Sequence, residues 1–305
     1  MLKKWAMAAA ILGWGMGSVG TALAWGPQTG IWSVTAEKNG KPGRGFNIDV
    51  QDDTLVMQVY AYERNGAPTF YLTSGKLVDN RFVGTLNKYR GGRYVGSGDL
   101  VGQEDGNEGQ VRMRFVSGVK GYIQFPGEPE KEISRFLFGE HTTQASLRGI
   151  WMLTTIARAG AKYDTVDYFA LEIPSAGTAN GTGTLYSKDY EYSCEHLVKG
   201  ANAGLVLCVR FYDDGSARRA NFFHLSVKDG EGYSYNPAQS NPADDNLHVK
   251  RVTNTAGDFT GMYLKSAPVN IAPERLERMR QTMEAIAQVP ANRALLGGEG
   301  DLTQD

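Results

Sequence analysis

The sequence predicts an all-β fold: two related antiparallel β-barrel or sandwich units in tandem, followed by one C-terminal amphipathic helix. Short segments alternate apolar and polar residues, and turn residues recur between them about every 8–12 positions. The tripeptide Gly30-Ile31-Trp32 recurs as Gly149-Ile150-Trp151, which indicates an internal repeat. The 305 residues include 38 glycines, 15 tyrosines and 12 phenylalanines, a composition that suits short strands joined by tight turns.

Residues 1–24 carry the three-part pattern of a secretory signal peptide. Lys3 and Lys4 form the basic start, a mostly apolar stretch follows, and Ala22-Leu23-Ala24 supplies the small residues before a cleavage site. The apolar stretch is too short and too interrupted by glycine to span a membrane. We therefore expect cleavage after Ala24, a periplasmic or secreted location, and no transmembrane segment in the mature chain.

The first β-unit is expected at 25–142. Segment 46–51 alternates apolar and polar residues, Asp52-Asp53 marks a turn, and 55–62 returns as a second strand. Asn65-Gly66 then marks another tight turn, because these two residue types readily adopt the backbone angles of a hairpin loop. Half-buried antiparallel strands joined in this way are typical of a barrel or a sandwich.

The second unit is expected at 146–265 as a degenerate repeat, joined to the first at 141–146. Besides Gly-Ile-Trp, two echoes support the repeat: Gly84-Thr85-Leu86 with Gly183-Thr184-Leu185, and Ser134-Arg135-Phe136 with Lys250-Arg251-Val252. The offsets differ, so we expect the second unit to lack much of the 46–62 hairpin and to gain a long polar loop at 229–246. One continuous structure built from both halves is the alternative.

The two cysteines, Cys194 and Cys208, are predicted to form a disulfide. Segments 192–198 and 205–211 have strand patterns, and a hairpin turn near Ala201 puts the two cysteines opposite each other. In an oxidising compartment a lone cysteine pair is most simply bonded. Closing a loop of about 15 residues stabilises a fold by roughly 3 kcal/mol.

Residues 273–289 are predicted to form the C-terminal helix, with Pro273 in a favourable first turn and Pro290 ending the run. We expect its apolar face to pack against a β-unit, with a cap over a barrel mouth or a partner-binding helix as alternatives. The Gly- and acid-rich residues 297–305 are predicted to form a disordered tail. The apolar positions at helical spacing are Leu276, Met279, Met283 and Ile286.

No pattern in the sequence identifies a catalytic group, a metal site or a cofactor. The chain carries 32 basic and 33 acidic residues without a clustered basic face, so no nucleic-acid partner is expected. No serine lies in a convincing nucleophile motif. None of the histidines stands with another histidine or a free cysteine at the spacing of a metal site; they are His141, His196, His224 and His248.

Tyrosines on strands are the remaining candidates for a ligand site. In a barrel, aromatic residues of this kind either line a ligand cavity or belong to the ordinary core and cross-strand pairs. The sequence leaves both interpretations open. The candidate ligand-binding residues are Tyr60, Tyr62, Tyr71, Tyr186 and Tyr192.

The first unit resembles the repeats of exported proteobacterial proteins of uncharacterised function. The resemblance is carried by Gly30-Ile31-Trp32, by Gly43-Arg44-Gly45-Phe46-Asn47 and by a Tyr-x-x-x-Gly-x-Pro hairpin over 62–68. Arg44 and Phe70 stand where tryptophan is more usual in that pattern. A weaker similarity is to avidin-like and lipocalin-like barrels, in which Gly-x-Trp on the first strand plugs one end. These resemblances imply a fold and a compartment, but no catalytic residues.

Two classes of function follow. The first is an exported, soluble, non-enzymatic β-protein that binds a small apolar ligand, a glycan or an envelope protein; a purely structural or assembly role is a separate possibility. The alternative is a secreted hydrolase whose acids and histidines converge between the two units. Besides the four histidines, its candidate acids are Glu172 and Glu191.

Overall fold

The computed structural model describes residues 26–139, 142–156, 165–239, 245–253 and 270–292. The predicted signal peptide 1–24, His141 and the predicted tail 297–305 lie outside the described residues. Across the described ranges, no helix is long and apolar enough to cross a membrane.

Barrel 1 is a closed antiparallel sheet in which each strand pairs with the next in chain order and the eighth pairs with the first. Asp52-Asp53 and Asn65-Gly66 lie in turns between strands, as predicted. The strands are β1 (Gly30–Val34), β2 (Gly45–Gln51), β3 (Thr54–Tyr62), β4 (Pro68–Val78), β5 (Arg81–Arg90), β6 (Gln103–Phe115), β7 (Lys120–Gln124) and β8 (Lys131–Arg135).

Barrel 2 repeats this topology, and the helix α1 (Pro273–Gln288) follows it. The predicted fold class, two tandem antiparallel β-units with one C-terminal helix, is confirmed, and both units are barrels. The strands are β9 (Gly149–Ile156), β10 (Thr165–Ser175), β11 (Gly181–Ser187), β12 (Tyr192–Leu197), β13 (Val206–Phe211), β14 (Ala217–Ser226), β15 (Asp229–Tyr235) and β16 (Asp245–Arg251).

The first and last strands of the two barrels are structurally equivalent. Trp32 on β1 pairs with Arg135 on β8, and Trp151 on β9 pairs with Arg251 on β16. Each indole Nε1 donates to the carbonyl oxygen four residues earlier, at 2.9 Å in barrel 1 and 2.8 Å in barrel 2. The Gly-Ile-Trp and Arg echoes in the sequence therefore lie at equivalent positions of the two barrels.

Three finer expectations about the repeat are wrong. Gly84-Thr85-Leu86 lies on the fifth strand of barrel 1, whereas Gly183-Thr184-Leu185 lies on the third strand of barrel 2. Barrel 2 lacks no hairpin, because β10 and β11 occupy the second and third positions. Half of the predicted loop 229–246 is strand: 229–235 belong to β15 and 245–246 to β16. The segment Asp229–Tyr235 hides its strand character because its sequence, DGEGYSY, contains no aliphatic side chain.

The interior of barrel 1 is filled by its own side chains. An eight-stranded barrel has room inside either for its own side chains or for one small ligand. Trp32 packs edge-on against Phe115 with ring centroids 5.6 Å apart, and Phe46 packs in the same way against Phe125 at 6.2 Å. The other fully buried members of this cluster include Ile48, Leu55, Met57, Val111, Ile123 and Ile133.

Barrel 2 buries apolar side chains on both faces of its sheet. Inside, Trp151 and Phe169 belong to one cluster with the short 3₁₀ helix Gln144–Leu147 at the end of the barrel. Outside, Phe222 belongs to a second cluster that α1 covers. Met279 of α1 is 0% exposed in that cluster. The predicted packing of the helix against a β-unit is therefore confirmed.

The predicted disulfide is present. Cys194 on β12 lies directly opposite Cys208 on β13, and their sulfur atoms are bonded. The turn between these strands contains Ala201, as expected. A directly opposed pair needs no rearrangement of the sheet, because cross-strand Cα atoms of adjacent antiparallel strands already lie within bonding reach.

Replacing Met279 with alanine tests the contribution of α1 to barrel 2. The deletion leaves a cavity in a fully buried cluster, so we expect the free energy of unfolding to fall by about 2–5 kcal/mol in urea denaturation. Gln281→Ala on the exposed face of the same helix is the control and should change it by less than about 0.5 kcal/mol. Equal effects of the two substitutions would show that the helix is not packed in this way.

Candidate functional site

The five predicted tyrosines do not share one surface. Tyr60 and Tyr62 point outward from β3 and are 56% and 52% exposed. Tyr71 is partly buried against the core of barrel 1. Tyr186 is buried under α1, and Tyr192 lies inside barrel 2, stacked on Phe169 with ring centroids 4.0 Å apart. Only Tyr60 and Tyr62 are therefore available at the surface.

Two further aromatic side chains extend the surface that begins with Tyr60. Phe70 on β4 is directly opposite Tyr60 and is 49% exposed. Continuing the β4–β5 register by one residue from Tyr71–Lys88 puts Tyr89 beside Phe70. Opposed residues on adjacent strands have Cβ atoms about 5 Å apart, so their rings lie side by side. We call Tyr60, Tyr62, Phe70 and Tyr89 the aromatic row.

The loop between β5 and β6, residues 91–102, carries a second group of exposed apolar side chains. Tyr94 is 71% exposed and Val101 is 84% exposed, and Val95 is completely exposed. Gly91 and Gly96 have positive φ angles of 69° and 87°, which glycine adopts without strain. We call residues 91–102 the apolar loop. Loops of this length are normally polar, so this exposure is unusual.

The aromatic row and the apolar loop lie at the same end of barrel 1. Successive turns of an up-and-down barrel alternate between its two ends, so the β3–β4 turn and the β5–β6 loop share one end. The β6–β7 turn lies at the other end, where Gly118 contacts Glu231 of barrel 2. We call the end away from barrel 2 the distal end.

A compact charge network covers part of the distal end. Arg44 donates to Glu37 at 2.8 Å and to Glu128 at 2.7 Å, and Lys131 pairs with the same two acids at 3.0 and 2.8 Å. The Arg44 guanidinium lies 4.7 Å above the ring of Phe125. A planar cation stacks on an aromatic face much as a second ring would, so the Arg44 guanidinium covers Phe125.

Replacing Arg44 with alanine tests this network. The hydrogen bond from Arg44 lowers the pKa of Glu128 to about 2, and removing it should return that pKa toward 4.5 in a carboxyl NMR titration. Because the pKa is lowered on folding, the wild type gains stability above pH 4.5 and loses it as the pH falls toward 2. The Arg44→Ala protein should lose less stability over that range.

Arg64→Ala, at an exposed arginine of the same barrel, is the matched control for this titration. It should leave the pKa of Glu128 unchanged. A Glu128 pKa that stays near 2 without Arg44 would contradict the assignment.

The predicted hydrolase acids are engaged in surface ion pairs. Glu172 lies 3.0 Å from Lys188, and Glu191 lies 3.2 Å from Arg210. Neither acid is near a candidate histidine in the strand pairing of the described residues, and His141 lies outside those residues. Over the same ranges, no group of three or more His, Cys, Asp or Glu residues is arranged to hold a metal ion.

One acid that the sequence did not single out does lie between two of the histidines. His224 on β14 and His248 on β16 are the direct cross-strand neighbours of Glu231 on β15. Glu231 is only 6% exposed, and its carboxylate accepts a hydrogen bond from Gly118 of barrel 1. Barrel 1 therefore covers this acid, which is not open to a substrate.

His196 faces a small pocket at the end of barrel 2. Its Nε2 lies 2.9 Å from the Ser146 hydroxyl, which donates to the carbonyl of Thr143. A serine hydroxyl that donates to a backbone carbonyl is not activated by the histidine as a nucleophile. The pocket has a volume of about 150 Å³, and its lining includes Leu137, Thr142, Val198, Val206 and Leu225.

No protein-family model matches the chain, and comparisons with curated proteins and with solved structures found no match.

Sequence reasoning found half of the aromatic row and missed the apolar loop. The alternation around Val59 already separated Tyr60 and Tyr62 from the inward side chains. The signal for the loop was the pairs Tyr94-Val95 and Leu100-Val101, which stand among glycines where a turn would carry polar residues.

Proposed function

We propose that the protein is a non-enzymatic binding protein that docks another protein onto the distal end of barrel 1. The observation that carries this proposal is the joint exposure of the aromatic row and the apolar loop at one end of the barrel. Contiguous exposed apolar surface on a soluble domain marks an interaction site. If the chain is exported, as its first 24 residues suggest, the partner is an envelope or extracellular protein.

The composition of the distal end favours a protein over a small molecule. Protein interfaces are enriched in aromatic residues, and tyrosine supplies large contact area at a low cost in side-chain entropy. The apolar loop combines Tyr94 with glycine and Ser97, the same mixture of rigid anchor and adaptable backbone that antibody loops use. Barrel 1, by contrast, holds a packed core where a ligand cavity would lie.

Three ion pairs flank this surface, which favours an apolar contact. Charges that neutralise each other in ion pairs exert little long-range attraction on a partner. The association rate constant should therefore lie at the value without electrostatic steering, about 10⁵–10⁶ M⁻¹s⁻¹, and depend weakly on salt. The partner then presents a complementary apolar surface rather than a charged one. The pairs are Lys88 with Glu63, Arg90 with Asp105, and Arg93 with Asp99.

Site-specific photocrosslinking identifies the partner, and affinity measurements on the purified pair test the surface. A photoreactive phenylalanine at position 94 should give one discrete protein adduct in cells. With that partner purified, Tyr60→Ala/Phe70→Ala should weaken binding by tenfold or more in calorimetry, because buried aromatic anchors contribute about 1–2 kcal/mol or more each.

Tyr168→Ala is the matched control, since Tyr168 is a tyrosine on a strand of barrel 2 with 54% exposure. It should leave the affinity unchanged. Equal loss in both variants, or a protein adduct that forms as well from position 168, would overturn the proposal. Saturable binding of an oligosaccharide that depends on Tyr60 and Phe70 would replace the protein partner with a glycan.

The pocket beside His196 supports a second candidate function, the binding of a small apolar molecule. A cavity of about 150 Å³ in another protein accommodates one benzene ring. The lining here contains no lysine, arginine or carboxylate side chain, so a neutral molecule of about that size suits it.

Toluene is the probe for this second candidate. It should perturb the methyl NMR signals of Leu137, Val206 and Leu225 saturably, with a dissociation constant on the order of 1 mM. Val198→Trp at the pocket wall should abolish the perturbation. Val166→Trp, at a similarly exposed valine outside the pocket, should not. Absence of saturable shifts in the wild type would remove this candidate without affecting the first.

A further inference from the structure

The two barrels meet where the β6–β7 turn of barrel 1 lies against the outer face of β15. The Gly118 N–H donates to the Glu231 carboxylate at 2.7 Å, and the Gln28 N–H donates to the Gly118 carbonyl at 2.8 Å. A Cβ atom at position 118 would lie only 1.8 Å from Glu231 Oε1, so glycine alone allows this approach. The contact is therefore built around one buried carboxyl group.

Titratable groups from both barrels surround that carboxyl group. His224 and His248 flank it on the neighbouring strands, and Asp229 lies two residues away on the same strand. Asp229 in turn pairs with Lys250 at 2.8 Å and faces Arg135 of barrel 1. The amide side chain of Gln28 also faces the Glu231 carboxyl group. Around Asp229 the two barrels thus bring together one carboxylate and two cations, and within the described residues no ion pair joins Lys250 or Arg135 to Glu231.

We infer that protonation of Glu231 controls how tightly the two barrels are docked. The neutral carboxyl group is compatible with the closed contact, in which barrel 1 excludes water from it. The ionised carboxylate favours an open arrangement, in which water solvates the charge again. The backbone N–H of Gly118 and the side-chain amide of Gln28 do not replace a full hydration shell.

The direction of the pH dependence follows from proton linkage. Burial raises the pKa of Glu231 to about 7, whereas an accessible glutamate titrates near 4.5. The docked form therefore binds the proton more tightly, and docking weakens as the pH rises from 4.5 to 7. The difference between the two pKa values limits the change in the docking equilibrium to about 300-fold.

His248 acts in the opposite direction. Burial lowers the pKa of His248, so the closed contact favours its neutral form and weakens as the pH falls below 6.5. In the wild type the two effects overlap, and only the part above pH 6.5 belongs to Glu231 alone. Substituting His224 and His248 with glutamine removes the overlap and exposes the full response of the carboxyl group.

The test is hydrogen exchange of the Gly118 amide in the full chain, corrected for the intrinsic pH dependence of exchange. This amide bonds to Glu231 directly, so its protection factor reports opening of the contact. We expect protection to fall several-fold between pH 6.5 and 8 in the wild type. In the His224→Gln/His248→Gln background it should fall by up to about 70-fold between pH 5 and 8.

Two variants distinguish the effect of Glu231 at the contact between the barrels from a general effect of buried acids on the pH response. Glu231→Gln keeps the shape of the side chain but cannot ionise, so protection of Gly118 should no longer fall with pH. Glu195→Gln is the matched control: Glu195 is 0% exposed in barrel 2, but it accepts hydrogen bonds from Thr178 and Gly183 and not from barrel 1. It should leave the pH response of Gly118 intact.

Each outcome decides the inference. Flat protection of Gly118 in the wild type, a pH response that survives Glu231→Gln, or its loss in Glu195→Gln would each overturn it. The wild-type pH series needs no substitution, so it remains decisive even if a variant fails to fold.

Discussion

Closure of the sheet at eight strands is the constraint on which the rest of this structure depends. At that number the interior of a barrel is just wide enough to be filled by side chains or to hold one small ligand. In barrel 1, Trp32 and Phe115 fill one region of the interior and Phe46 and Phe125 fill another. Because its own apolar side chains fill its interior, barrel 1 must contact other molecules through its outer face and its ends.

The two barrels use their outer faces differently. The outer face of barrel 2 is covered by α1 along β13 and β14 and by barrel 1 at β15. The distal end of barrel 1 has no such cover among the described residues, and half-exposed rings stand on two adjacent strands there, β3 and β4. Barrel 2 is stabilised by its disulfide and its helix, and part of its outer face is covered. Barrel 1 presents the exposed surface that we propose for binding.

Sequence patterns predicted those features of the fold that depend on residues close together in the chain or directly paired across strands. The disulfide was predictable because Cys194 and Cys208 lie on one hairpin. The repeat was predictable at Trp32 and Arg135 because these residues lie directly opposite each other on the two strands that close the barrel. A barrel was not distinguishable from a sandwich, since closure depends on β1 pairing with β8, about 100 residues away.

The site was less predictable, for a physical reason. Alternation assigns Tyr60 to the outer face of its strand, but whether that face is covered depends on elements far away in the sequence. The burial of Glu231 could not be predicted either. A glutamate in a polar strand gives no sign that a second barrel will cover it. Whether a strand residue is exposed to solvent therefore depends on how the barrels and the helix pack together, which its own segment does not reveal.

Native mass spectrometry of the protein purified gently from its own cells tests most directly whether the distal end of barrel 1 binds a protein. A complex with one additional polypeptide is expected, and hydrogen exchange of that complex should show protection gained at the aromatic row and the apolar loop. A bare chain, a chain that retains a small molecule, or a complex whose protection appears only on barrel 2 would contradict this assignment of the binding surface.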